Sequence, residues 1–103
     1  MILYLSGAIS SDPDYKDKFD AAESYLSTWK GHVVLNPAVI PFGLRRYDDY
    51  MNIGYEMLRA SEGIVMLRGW KDSPGAKAEL KAAIEHGLKV FYGIEAVPFI
   101  QNQ

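Results

Sequence analysis

The chain contains no cysteine, which excludes disulfides, thiolate metal sites and cysteine nucleophiles together. Only two histidines are present, far apart at positions 32 and 86. Without a thiol beside them they make a poor ligand set, so no metal is expected, and no cofactor. Neither sign of charge dominates. Eleven Lys and Arg against thirteen Asp and Glu leave a net charge of −2, which is no footprint for a nucleic-acid polymer. No apolar run approaches the roughly 20 residues of a membrane span. The first residues enter a strand-like run at once rather than a charged leader with a cleavage site. Repeats, low-complexity tracts and linkers are also missing. A reducing cytoplasm is the compartment expected.

What is there is an ordinary globular composition, 49% hydrophobic and 23% charged over 103 residues. That length supports one domain over residues 1–103 with a real core.

One stretch organises the rest, Gly69-Trp70-Lys71-Asp72-Ser73-Pro74-Gly75-Ala76-Lys77-Ala78-Glu79-Leu80. It lies between the apolar run 64–67 and a helical pattern reaching His86. Ser73 then Pro74 reads as a helix cap followed by a first-turn proline, whose missing N–H is no loss there. Gly75 permits close approach to the backbone, and the N–H groups of such a helix start attract anions. At about 100° per residue, Lys77, Lys81 and Glu85 share a solvent face, while Ala76, Leu80, Ala83, Ile84 and Gly87 face a core. Glu79 falls beside the apolar stripe. A carboxylate there is either a rim residue reaching water or a functional group held in a cleft. His86, near the helix end, reads as structural or as a partner of the helix dipole.

From the start, Met1 to Leu5 is a short continuous apolar run expected of a strand buried on both faces. Ser6-Gly7-Ala8-Ile9-Ser10-Ser11 follows at its carboxyl end, where open α/β sheets bind ligands; the other reading is a plain turn. Asp12-Pro13 opens a helix that lays Tyr15, Phe19, Ala22, Leu26 and Trp29 on the core and ends at Gly31. His32 starts a second strand, through Leu35, broken by Asn36-Pro37. Residues 38–46 form a loop whose Arg45 and Arg46 are either solvated charges or a phosphate clamp. A second helix spans 47–61, with Tyr50 or Met51, Gly54 and Leu58 inward. A third strand runs 63–68 and a fourth 88–92. The tail from 93 packs either on the body or on another subunit.

Strand and helix alternate throughout, which spells βαβ units. The expected fold is α/β, a three-layer flavodoxin-like or Rossmann-like sandwich with a small parallel sheet of four to five strands flanked by helices. The loops after the first and third strands then meet at one sheet edge, bringing Tyr4, Gly7 and Ile9 to Ser73, Gly75 and Glu79. Such a site suits a small phosphorylated or sugar-like ligand with one acidic group aimed at it.

Tyr4 on the first strand, Ser6-Gly7, Asn36-Pro37, Gly69-Trp70 and above all Ser73-x-Gly75-Ala76-x-x-Glu79 resemble the nucleoside 2-deoxyribosyltransferase-like superfamily. Within it, the chain is similar to short phage and bacterial proteins mostly without assigned activity, over about the first ninety residues. The resemblance implies cleavage of the base–sugar bond of a deoxynucleoside or its 5′-monophosphate. Glu79 would attack C1′ to form a covalent glycosyl-enzyme, Tyr4 would orient it, and residues Gly7 to Ser10 would line the pocket. Water or a second base would then resolve the intermediate, as in retaining glycoside hydrolysis. Ser73 stands where the superfamily's monophosphate hydrolases carry serine and its free-nucleoside transferases carry aspartate, so hydrolysis of a monophosphate is expected. Asn52 matches the position of an aspartate that protonates the leaving base. It can hydrogen-bond but is no carboxylic acid, leaving Asp48, Asp49, Glu56 or Glu62 as substitutes. Trp70 either stacks on a base or packs. The alternatives are a nucleotide-binding protein that does not cleave, a deoxyribosyltransferase, or a structural subunit with a vestigial pocket. The superfamily further implies a homo-oligomer, a dimer or larger.

Overall fold

The computed structural model describes residues 1–41 and 46–100. Four strands, β1 (Ile2–Ser6), β2 (Val33–Leu35), β3 (Gly63–Met66) and β4 (Lys89–Tyr92), form one sheet in the order β2-β1-β3-β4. All three pairings are parallel, with Tyr4 beside Leu35 on one side and Ile64 on the other. Helices α1 (Tyr15–Ser24), α2 (Tyr47–Arg59) and α3 (Pro74–Glu85) make the connections. The chain moves from β1 outward to β2, then back across to β3 and on to β4. With right-handed crossovers, that reversal puts α1 on one face and α2 with α3 on the other. The architecture is therefore the expected three-layer α/β sandwich with a four-stranded parallel sheet.

Strand period decides which face each residue serves. Leu3 and Leu5 of β1 and Val65 of β3 pack with Phe19, Ala22 and Leu26 beneath α1. Tyr4, Ile64 and Met66, one residue out of step, pack with Leu58, Ala76 and Ala83 beneath α2 and α3. Tyr4 and Ser6 thus share the α3 face. The reversal of strand order falls between β1 and β3, and ligands of open α/β sheets bind beyond the carboxyl ends of the strands at such a point.

Several local expectations are corrected. Helix α1 begins at Tyr15 rather than at Pro13, because Asp12 first makes its own turn, accepting the Asp14 N–H at 2.9 Å. The helix then widens over Tyr25–Trp29 into a π-helical turn closed by the Lys30 N–H on the Tyr25 carbonyl. One extra residue in the turn rotates everything beyond it. Trp29, expected inside, is 65% exposed, and Lys30 takes the buried place at 4%. On α3, Ile84 is exposed rather than inward. At about 100° per residue it lies roughly 80° round from Ala76, past the edge of the stripe.

The described part of the tail packs on the body. Val97 is buried in the α1-side core, and Phe99 meets Trp29 edge-on at 5.9 Å. The buried Lys30 Nζ donates to the carbonyls of Ile94 (3.1 Å), Glu95 (3.3 Å) and Val97. His32 precedes β2 rather than lying in it, buried between the amino terminus and the Pro98 carbonyl, with ring nitrogens 3.0 and 2.6 Å from them. Among the described residues no helix is long and apolar enough to cross a membrane.

Candidate active site

Beyond the carboxyl ends of β1 and β3 lies a cleft of about 400 Å³, within the usual range for a small-molecule site. Its floor is Glu79. Ser73 caps α3 by accepting the Ala76 N–H at 3.1 Å, and Pro74 starts the helix. Counting from that cap sets Glu79 on the second turn, facing β1. The side chain is 9% exposed, and both carboxylate oxygens accept hydrogen bonds. The Tyr4 hydroxyl donates to Oε2, and Ser6 Oγ donates to Oε1 at 2.8 Å.

Burial pushes the Glu79 pKa above its ordinary 4.5, while the bonds from Tyr4 and Ser6 pull it back towards the charged form. Burial foremost, with the neighbouring Glu79 charge, raises Tyr4 well above 10, so it stays a proton donor to the carboxylate. The site therefore holds a desolvated carboxylate fixed in orientation and open to the cleft on one side.

Helix α2 forms the opposite wall. Tyr47, Tyr50, Met51 and Gly54 recur on one side of it, and the first three line the cleft with Arg46. Gly54 makes this close approach possible, since a Cβ there would sit 3.1 Å from the Tyr4 hydroxyl and 3.3 Å from Glu79 Oε2. Gly75 does likewise for Tyr47, whose hydroxyl would lie 3.3 Å from an added Cβ. Burial lifts Tyr50 to about 12. At the head of α3, Pro74 has no N–H, and those of Ala76 and Lys77 are taken by Ser73. The Gly75 amide completes that set at the cleft wall, where the helix dipole favours an anion.

The structure brings together Tyr4, Gly7, Ile9, Ser10, Ser73, Gly75 and Glu79 as lining of this one cleft. Three other candidates lie elsewhere. Ser6 is fully buried and bonds to Glu79, so it serves the carboxylate rather than a ligand. Asn52 is exposed on α2 and does not line the cleft, because it falls one residue past Met51 on the outward side of the helix. Trp70 packs against Tyr92, ring centroids 5.8 Å apart, over a different hollow lined by Lys18 and Arg68. Of the carboxylates offered in place of Asn52, Asp48 pairs with Arg46 and Glu56 with Arg59 at the surface. Glu62 accepts the Ile2 N–H, and Asp49 is exposed on α2. None lines the cleft.

Sequence reading passed over Pro37, Pro41, Tyr47, Tyr50 and Met51 as lining residues. The α2 periodicity was the available signal, but it marks an inner face without saying whether core or cleft lies opposite. Of the arginine pair, Arg46 lines the cleft, and Arg45 lies outside the described residues. No three His, Cys, Asp or Glu side chains gather as a metal site among the described residues.

A family described as domain of unknown function (DUF4406) matches residues 1–92. No curated protein and no solved structure matches the chain.

Proposed function

The chain belongs to the DUF4406 family, whose description assigns no activity, and from that premise we propose that the Glu79 site cleaves the base–sugar bond of a nucleoside 5′-monophosphate. The reading rests on the state of Glu79, a carboxylate 91% removed from solvent, gripped on both oxygens and open to a ligand-sized cleft. A merely structural glutamate is met by a cation or left at the surface. A nucleophile for an anomeric carbon needs what Glu79 has, desolvation and a fixed direction of attack.

In the proposed reaction a Glu79 oxygen bonds to C1′ as the C1′–N bond breaks, and the electron pair departs with the base. The oxocarbenium-like transition state forms against the carboxylate, whose charge stabilises it. Water then attacks C1′ from the vacated side, regenerating the carboxylate and releasing the sugar phosphate. Tyr4 and Ser6 hold the carboxylate in place through both steps. Arg46, Ser73 and the head of α3 supply the positive end for the 5′-phosphate. Tyr47, Tyr50, Met51 and Ile9 offer flat and apolar surface to the base. The likeness of Ser73-x-Gly75-Ala76-x-x-Glu79 to the nucleoside 2-deoxyribosyltransferase-like superfamily supports the same chemistry. A cytoplasmic location is part of the same proposal. We extend the proposal to a homo-oligomer, for which exposed Tyr47 and Ile53 on α2 offer apolar surface; sedimentation tests it.

The experiment is base release from a panel of nucleoside and deoxynucleoside 5′-monophosphates, followed by chromatography, beside Glu79→Gln. Release reduced about a thousandfold or more in the variant establishes the nucleophile. The missing second carboxylate favours one other reading, a nucleotide-binding protein. A thermal shift with no free base from any substrate selects it. Exchange of one free base for another would identify a transferase.

A further inference from the structure

Glycosidases of the two-carboxylate type pair a nucleophile with an acid that protonates the leaving group. In this chain the second group is missing from the cleft. Every Asp, Glu and His lies among the described residues, since residues 42–45 and 101–103 contain none. Of all these, Glu79 alone lines the cleft. Among the described residues the other polar side chains there are hydroxyls and the Arg46 guanidinium, which hydrogen-bond well but give up protons poorly. Burial makes Tyr50 a weaker acid still, at about 12.

We propose that the base leaves without a proton from the protein, so that the substrates are nucleoside 5′-monophosphates whose base is already a good leaving group, electron-poor or positively charged through N-alkylation. This rests on Glu79 acting as the nucleophile. A fixed positive charge on the base also suits the cleft, which offers it tyrosine ring faces and one carboxylate. With an N7-alkylated purine, the C1′–N9 electron pair leaves with the base and neutralises it while a Glu79 oxygen bonds C1′. Water then adds to C1′, frees the carboxylate and yields its proton to solvent. With an electron-poor pyrimidine, the departing N1 anion takes that proton instead. Both sequences balance with water as the sole co-reactant.

Two matched pairs test the idea: 5-fluoro-dUMP against dUMP, and 7-methyl-dGMP against dGMP. Free base is measured with the intact protein, with Glu79→Gln, and without protein to subtract spontaneous loss. A positioned general acid contributes about 10²–10⁴-fold. Without it the rate follows the leaving ability of the base directly, so kcat/KM is expected to be higher by about tenfold or more for the first member of each pair, with the advantage lost in Glu79→Gln. Comparable release from both members overturns the inference and leaves the nucleophile standing. Release that persists in Glu79→Gln, or none from any of the four, overturns the nucleophile and the inference with it.

Discussion

Burial and hydrogen bonding pull Glu79 in opposite directions, and burial is the larger. Its folded-state pKa stands above 4.5, so the folded chain holds that proton more tightly than the unfolded chain. The resulting stability is fully present below the unfolded pKa and is lost as pH rises through the raised folded value. Glu79→Gln has nothing to ionise there. Its melting temperature should overtake that of the wild type as pH rises through this window, and melts at closely spaced pH values check it. In the proposed reaction activity runs the other way, because Glu79 must be charged to attack C1′. Base release should rise with pH along a limb set by Glu79. Tyr4→Phe deletes the strongest bond favouring the charged form. The limb should move to higher pH, and stability at neutral pH should fall by about 1–3 kcal/mol. A limb that stays in place in Tyr4→Phe would show that another group sets it.

At the scale of elements, the site depends on how near α2 comes to β1 and α3. Gly54 is the residue that allows it, with the Tyr4 hydroxyl and Glu79 Oε2 in the space an added Cβ needs. Gly54→Ala should push that pair apart or lift α2. Base release should drop by about tenfold to a hundredfold, in line with the effect of a misplacement of about 1 Å, while the protein still folds. Activity in Gly54→Ala equal to wild type would mean that α2 gives way without disturbing Glu79. Much of this region was legible in advance. Ser73-Pro74 fixed where α3 starts, and counting from there fixed the direction of Glu79. The face of β1 that carries Tyr4 and Ser6 was not legible, because an apolar run buried on both sides shows no alternation to tell one face from the other. That Asn52 stands outside the cleft was not legible, because a position matched by resemblance carries no rotation angle, whereas one residue along a helix turns a side chain by about 100°. The π-helical turn at 25–29 left no mark in the apolar spacing, so Trp29 and Lys30 exchanged their expected places.

Over the whole molecule, the two faces of the sheet do separate work. The α2–α3 face carries the cleft, and the α1 face carries a core closed by the tail. Lys30 is the fastening of that closure. Its ammonium is buried, has no carboxylate partner among the described residues, and is met by three backbone carbonyls of residues 94–97. The rings of Tyr25 and Phe99 stand 5.2 and 5.4 Å away. Nothing in the sequence announces this, because its acceptors are main-chain oxygens that every residue type carries. Lys30→Met keeps the stem but leaves those carbonyls without their donor. Stability should fall by about 2–4 kcal/mol, lowering the melting temperature by at least about 8 °C in a domain of this size. Because Lys30 and the cleft lie on opposite faces of β1, base release measured well below that melting point should keep its wild-type kcat/KM. A variant that lost activity in step with stability would instead join the two faces, and the tail would then be holding the Tyr4–Glu79 pair in register through β1.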